Sequence, residues 1–346
     1  MADGATNCPE ISLASQGESL RNKEHLQKAP LDTVVVCGMG PVKLQDVQGS
    51  ERLYPLQPYN RPNAIAAKLL ASNNITDLVI TSGTKTARHD KKDLTDVEQR
   101  ELATSEGKLL ADTYNRARGK GVTSEGRERA DQIIEIDSSA KTTFDNIIQA
   151  LNLLDQRAGG YWSGNLAVLS ADFHGPRIKE ILTAFGIKNS RVLSAEKVLI
   201  HYGYRGDRLY PAGDFGYGKS YEEFEEDVYR GQPAGLENLQ DNPSYVTFEL
   251  AKIQSNRRLQ EIATNLKAYY AKKNIPLPQA YEEIPLEYND QFDYEFLRSH
   301  LLQIQFSKHG YNGEEYKGED GVKHYRELAA MVGKETEAFL QPAPSL

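Results

Sequence analysis

The segment of this chain best equipped for chemistry is Ser170-Ala171-Asp172-Phe173-His174, followed at once by Gly175-Pro176-Arg177. An imidazole that titrates near neutrality serves as a general acid or base. A guanidinium holds phosphate or carboxylate through its planar fork. Arg177 falls in the first turn of a helix expected over Pro176 to Phe185, where its charge opposes the helix dipole. A local rule broken in this way suits an anion-binding role. The plainer alternatives are a structural histidine and a salt bridge from Arg177 to Asp172 or to a neighbouring helix. Two carboxylates, Glu106 and Asp145, are candidates to orient His174 or to activate a water, and each reads equally as a first-turn acid stabilised by the dipole. Arg61 is a second candidate for holding an anion. Ser82, Gly83 and the Gly38–Gly40 loop are candidate backbone donors, and ordinary turn residues otherwise. Asn146 either joins this group or caps its own helix.

Something must carry these residues to one place, and the hydropathy pattern predicts what. Thr33-Val34-Val35-Val36-Cys37 is a short buried strand ending at Gly38. Further strands are expected at Asp77 to Thr81, Gln132 to Ile136, Leu166 to Leu169 and within Arg191 to Ile200. Between them, helices are expected near Asn63 to Ser72, Ser105 to Arg118, Thr143 to Leu154 and Pro176 to Phe185, with Pro176 at a helix start and Gly186 as C-cap. Thr84 to Glu101 reads as a charged loop or exposed helix. Strands alternating with amphipathic helices specify an α/β fold, a doubly wound and mostly parallel sheet of about five strands. A TIM barrel needs eight such units. In an open sheet of this kind ligands bind outside the carboxyl ends of the strands, where Gly38, Gly40, Ser82, Gly83, Asp137, Ser170, Asp172 and His174 are expected to gather. Gly38-Met39-Gly40-Pro41 is not a dinucleotide fingerprint, because no G-x-x-G continuation opens a helix. Residues 1–30 read as a flexible leader and 31–202 as the α/β unit. Residues 203–346 read as a mainly helical region near the cleft, with helices expected over Tyr245 to Lys273, Phe292 to Ile304 and Val322 to Phe339.

The succession Thr33 to Gly38, Tyr59-Asn60-Arg61, Thr81-Ser82-Gly83, Ser105-Glu106-Gly107, Thr142-Thr143-Phe144-Asp145-Asn146 and Phe173-His174-Gly175-Pro176-Arg177 resembles the YdcF/SanA/ElyC-like family, a bacterial domain of unknown function, over about residues 32–201. In that pattern Asp145 stands for Glu and Gly107 for Ala. The resemblance implies a Rossmann-like domain with a polar cleft, to which Ser105, Thr143 and Asp172 are added as ligand-lining residues. It also implies S-adenosylmethionine as a possible ligand. A hydrolase or transferase acting on a small phosphate-bearing or nucleotide-type metabolite is the expected function, with a non-catalytic binding module or partner-binding protein as the alternative.

The chain has 346 residues, 41 basic against 49 acidic, and a net charge of −8. That balance argues against nonspecific nucleic-acid binding, which rests on neutralising phosphates. The two cysteines, Cys8 and Cys37, build neither a disulfide framework nor a zinc cluster, and no metal-ligand motif is present. No stretch reaches the roughly 18 apolar residues of a membrane span, so a cytoplasmic location is expected.

Overall fold

The computed structural model describes residues 30–38, 42–45, 51–54, 60–83, 105–117, 122, 124–140, 142–206, 209, 243–303 and 319–341. The elements run β1 (Thr33–Cys37), β2 (Val42–Gln45), β3 (Glu51–Tyr54), α1 (Asn60–Ser72), β4 (Val79–Ser82), α2 (Glu106–Arg116), α3 (Ser124–Gln132), β5 (Ile134–Asp137), α4 (Thr143–Arg157), β6 (Leu166–Ser170), a 3-10 turn (Asp172–His174) and α5 (Gly175–Phe185). They continue with β7 (Ser190–Ser194), α6 (Ala195–His201), α7 (Pro243–Leu250), α8 (Asn256–Lys272), a 3-10 turn (Gln279–Tyr281), α9 (Tyr294–Gln303) and α10 (Glu319–Leu340).

Five strands form one parallel sheet in the order β5-β4-β1-β6-β7. Among parallel strands this is the Rossmann order 3-2-1-4-5, which reverses between β1 and β6. Strand periodicity explains the layering. Val35 and Cys37 face one way, with Ile80 and Val168, against Phe144, Ile148 and Leu151 of α4 and Ile178, Ile181 and Phe185 of α5. Val34 and Val36 face the other way, with Val79 and Leu169, against α1, Leu110 and Tyr114 of α2, and Val198 of α6. Successive side chains in a strand point to opposite faces, so an unbroken apolar run is what a sheet covered on both faces requires. The expected doubly wound α/β fold is therefore the observed one.

The helical region shares this core. Val246, Leu250, Leu259, Ile262, Leu266, Leu297 and Leu301 belong to the same buried cluster as α4 and α5. Helix α10 reaches β7, where Ser194 N–H donates to Thr336 Oγ1 at 2.9 Å.

Three local features were not expected, and one expectation needs correction. The β2–β3 antiparallel hairpin was not foreseen, because its short strands mix Lys, Gln, Glu and Arg with few apolar residues. Helix α3 has almost no apolar stripe, only Ala130 among its apolar residues being buried. The fifth strand is followed directly by α6, with Ser194 as N-cap accepting from Lys197 N–H. The single helix expected over Tyr245 to Lys273 is two. At the break, Asn152 Nδ2 takes the Lys252 carbonyl at 2.9 Å and Arg298 Nε takes that of Ile253 at 3.0 Å. Ser255 then caps α8 through Arg258 N–H. Side chains from other elements replace the helical bonds, which periodicity cannot anticipate. The expected leader, apart from Pro30, and the 84–101 loop lie outside the described residues.

Candidate functional site

The carboxyl ends of β1, β4 and β5 carry groups that are hydrogen-bonded to one another, directly or through Asn146. Ser82, the last residue of β4, has its hydroxyl 2.5 Å from Asp137 Oδ2 at the end of β5 and 3.0 Å from Asn146 Oδ1 in the first turn of α4. Asp137 Oδ1 also accepts from Ser139 N–H at 2.9 Å. Asn146 additionally bonds the Cys37 thiol at the end of β1, and burial pushes that thiol up to about 12. Cys37 is thus an inert buried thiol. Asn146 ties three elements together; the cap of α4 is Thr142, which accepts from Asp145 N–H.

Glu106 opens α2 behind its N-cap Ser105 and is 7% exposed. Its carboxylate occupies the space beside Gly38 and Gly83. A Cβ on Gly38 would overlap the Glu106 carboxyl, and one on Gly83 would come within 2.8 Å of Oε2. Gly83 also has φ +152°, which side-chain-bearing residues rarely adopt. Gly107 is equally constrained: a Cβ there would press on the Asp137 carbonyl and lie 2.9 Å from that of Thr81. From α1, Asn60 Nδ2 donates to Glu106 Oε1 at 2.8 Å. Asn60 is fully buried, and among the described residues its Oδ1 has no hydrogen-bond partner. Asn63, one turn on and also fully buried, has none at either polar atom. Such orphaned groups are rare in protein interiors.

The glycines do not supply the expected backbone donors. Gly38 N–H donates to the Ser82 carbonyl at 3.0 Å and Gly83 N–H to that of Asp137 at 3.1 Å. The parallel ladder runs one residue beyond each strand, so these N–H groups are already used. Gly40 lies outside the described residues.

His174 is placed at this edge but in an unexpected state. Its ring is buried, with Nδ1 2.9 Å from Ser170 Oγ and Nε2 3.3 Å from Thr143 Oγ1. Burial, aided by the nearby Arg177 charge, lowers its pKa to about 3. The imidazole is neutral at pH 7 and joins two hydroxyls, one nitrogen donating and one accepting. Among the described residues its ring is bonded to hydroxyls and to no carboxylate, contrary to expectation. A base of such low pKa is poorly matched to acid–base work at neutral pH. Arg177 is half-buried in the first turn of α5. Tyr325 of α10 donates from its hydroxyl to the neighbouring Phe173 carbonyl at 2.8 Å.

Two expected residues stand apart. Asp145 is held by Lys252, whose Nζ lies 2.6 Å from Oδ1 and 2.5 Å from Glu249 Oε2; it stands in the first turn of α4, as its plainer reading had it, and the ion pair with Lys252 was not expected. Asp172 turns toward β7 and α10: its N–H donates to Glu196 Oε2 at 3.0 Å, and its charged neighbours are Lys197, Glu337 and, through that bond, Glu196. Burial raises its carboxyl pKa. Ser105 pairs with Ser138 at 2.6 Å and caps α2. Arg61 is exposed at the start of α1.

Asp137 and Ser170 were expected at this edge and Asn60 stands in the resembling segment, but none of them, nor Lys252, was given a role. For Asp137 and Ser170 the signal was their place at strand ends. Nothing local marks Lys252, which reaches Asp145 across 107 positions. Among the described residues, no group of His, Cys, Asp and Glu side chains is arranged to hold a metal ion, and no helix is long and apolar enough to cross a membrane. Comparison of the chain with models of protein families, with curated proteins and with solved structures finds no match in any of the three.

Proposed function

We propose that this protein binds a small nucleotide-type metabolite at the carboxyl edge of its sheet, beside the reversal between β1 and β6, and acts on it as a hydrolase or transferase. The observation that carries the reading is the buried Glu106 carboxylate, set between the strand-end glycines Gly38 and Gly83 and bonded to Asn60. A carboxylate that opens α2 and lies beside the glycines following the first two parallel strands is well placed to accept hydrogen bonds from ribose hydroxyls or to serve as a general base. The unpartnered Asn60 Oδ1 and Asn63 carboxamide add an acceptor and a donor–acceptor pair. Arg177 and Arg61, each in the first turn of a helix, are the groups for a phosphate. His174 acts as a positioning residue through Ser170 and Thr143. The resemblance to the YdcF/SanA/ElyC-like family is consistent with this placement.

The second reading is a non-catalytic module for S-adenosylmethionine, favoured by the acidic character that Glu106 and Asp137 give this edge. Glu106 and Asn60 would hold its ribose. The test is thermal-shift screening with nucleotides, phosphate-bearing metabolites and S-adenosylmethionine, repeated on Glu106→Gln. Stabilisation that Glu106→Gln abolishes supports the site. Turnover of the stabilising compound selects the first reading, and binding of S-adenosylmethionine without turnover selects the second. No stabilisation by any compound, or equal stabilisation of the variant, overturns both.

A further inference from the structure

At the opposite, amino edge of the sheet lies a cavity of about 280 Å3. Its walls come from the α4–β6 loop, the end of α5 and the start of α8, and include Tyr161, Trp162, Lys188, Arg257, Arg258 and Glu261. The walls are fixed. Arg258 is buried and bidentate to Asp155, Nε to Oδ2 at 3.2 Å and NH2 to Oδ1 at 2.7 Å, and also donates to the Trp162 carbonyl. Trp162 N–H donates to Asp155 Oδ1 at 2.8 Å. Gly186 packs on Asn265, whose Nδ2 donates to the Phe185 carbonyl at 3.0 Å.

The charges are arranged unevenly. Arg258 is neutralised by Asp155. Glu261 accepts from the Tyr161 hydroxyl and has Arg258 NH1 at 3.9 Å. Arg257 and Lys188 are different: both are exposed, and neither forms an ion pair or side-chain hydrogen bond among the described residues. The Arg257 guanidinium instead lies over the Tyr161 ring, 4.5 Å from its centroid, as does that of Arg258 at 4.1 Å. Stacking of this kind holds the planar fork in place while leaving its N–H donors available. Two cations without carboxylate partners beside an indole, on a chain of net charge −8, make a local site for a dianion with an apolar part.

We propose that this cavity is a second ligand site, for a small organic phosphomonoester. Arg257 and Lys188 hold the phosphate, and Trp162 with Ile187 and Ile262 receives the carbon skeleton. The role proposed for this site is binding. This site is separate from the carboxyl edge and does not rest on the function proposed there.

Trp162 is the only tryptophan in the chain, and its fluorescence therefore reports on the cavity directly. The intact protein is titrated with phenyl phosphate at constant ionic strength, with phenol as the uncharged control and inorganic phosphate as competitor. The expected result is a saturable fluorescence change with phenyl phosphate in the millimolar range or below, reversed by inorganic phosphate and absent with phenol. Arg257→Ala and Lys188→Ala, both at exposed positions, should each weaken binding roughly tenfold. A non-saturable response of the unmodified protein, an equal response to phenol, or unchanged affinity in Arg257→Ala would overturn the proposal.

Discussion

The ammonium group of Lys252, in the break between α7 and α8, lies 2.6 Å from the Asp145 carboxylate in the first turn of α4. That ion pair ties the helical region to the carboxyl edge of the sheet. It also accounts for Asp145 without any ligand. Glu249 completes the group, and burial together with Asp145 pushes its carboxyl up to about 7 despite Lys252.

Removing Lys252 leaves two carboxyl groups that are almost fully buried, Asp145 and Glu249. Lys252→Ala should therefore destabilise the protein by about 3 kcal/mol, the cost of breaking a buried pair from one side. Urea denaturation measures this. Asp145→Asn in the Lys252→Ala background should recover part of the loss, because one stranded charge is removed.

The pH dependence of stability separates Glu249 from His174. The Glu249 pKa rises from 4.5 to about 7 on folding. The folded state then binds the extra proton between those values, so this group lowers stability as pH rises through that window. His174 drops from 6.5 to about 3. Here the unfolded state binds the extra proton, and stability is lost as pH falls from about 6.5 toward 3. Glu249→Gln should remove the first slope and leave the second. The difference between the stabilities of the unmodified protein and Glu249→Gln, measured across pH 4.5 to 7, isolates the first sign from the opposing His174 contribution, and the His174 imidazole resonances should show no protonation step near 6.5.

Gly38→Ala and Gly83→Ala should differ in kind. At Gly38 the added methyl meets the far end of the Glu106 side chain, which can swing away, so ligand stabilisation should fall while the melting temperature changes little. At Gly83 the methyl also meets the Glu106 Cβ, 2.9 Å away, and the backbone has φ +152°. A loss of about 1–3 kcal/mol is expected there. Comparing melting temperatures with and without the stabilising compound distinguishes the two.

Arg177→Lys keeps the charge and loses the fork. If Arg177 holds a phosphate, affinity for the phosphate-bearing ligand should weaken by about 1–3 kcal/mol with little change in melting temperature. Unchanged affinity with a large drop in melting temperature would assign Arg177 to packing against His174 and α10 instead. Calorimetric titration and thermal melts on the same preparations decide this.

The sequence by itself determined the sheet. Runs such as Thr33 to Cys37 and Leu166 to Ser170 are apolar at every position or nearly so, and only a strand covered on both faces buries both of its alternating sets. With helices between such strands, parallel pairing and a common carboxyl edge follow, and that edge is where Ser82, Glu106 and His174 stand. What each group does there was decided by the tertiary structure. The Gly38 and Gly83 N–H groups continue the ladder because β4 and β5 extend alongside them. His174 is neutral because burial keeps water from it and Arg177 adds a nearby positive charge. Asp145 is an ion-pair acid because a lysine 107 positions away folds onto it. Hydropathy is a property of neighbours in the chain. Protonation, partner and accessibility depend on neighbours in space, and no local pattern records them.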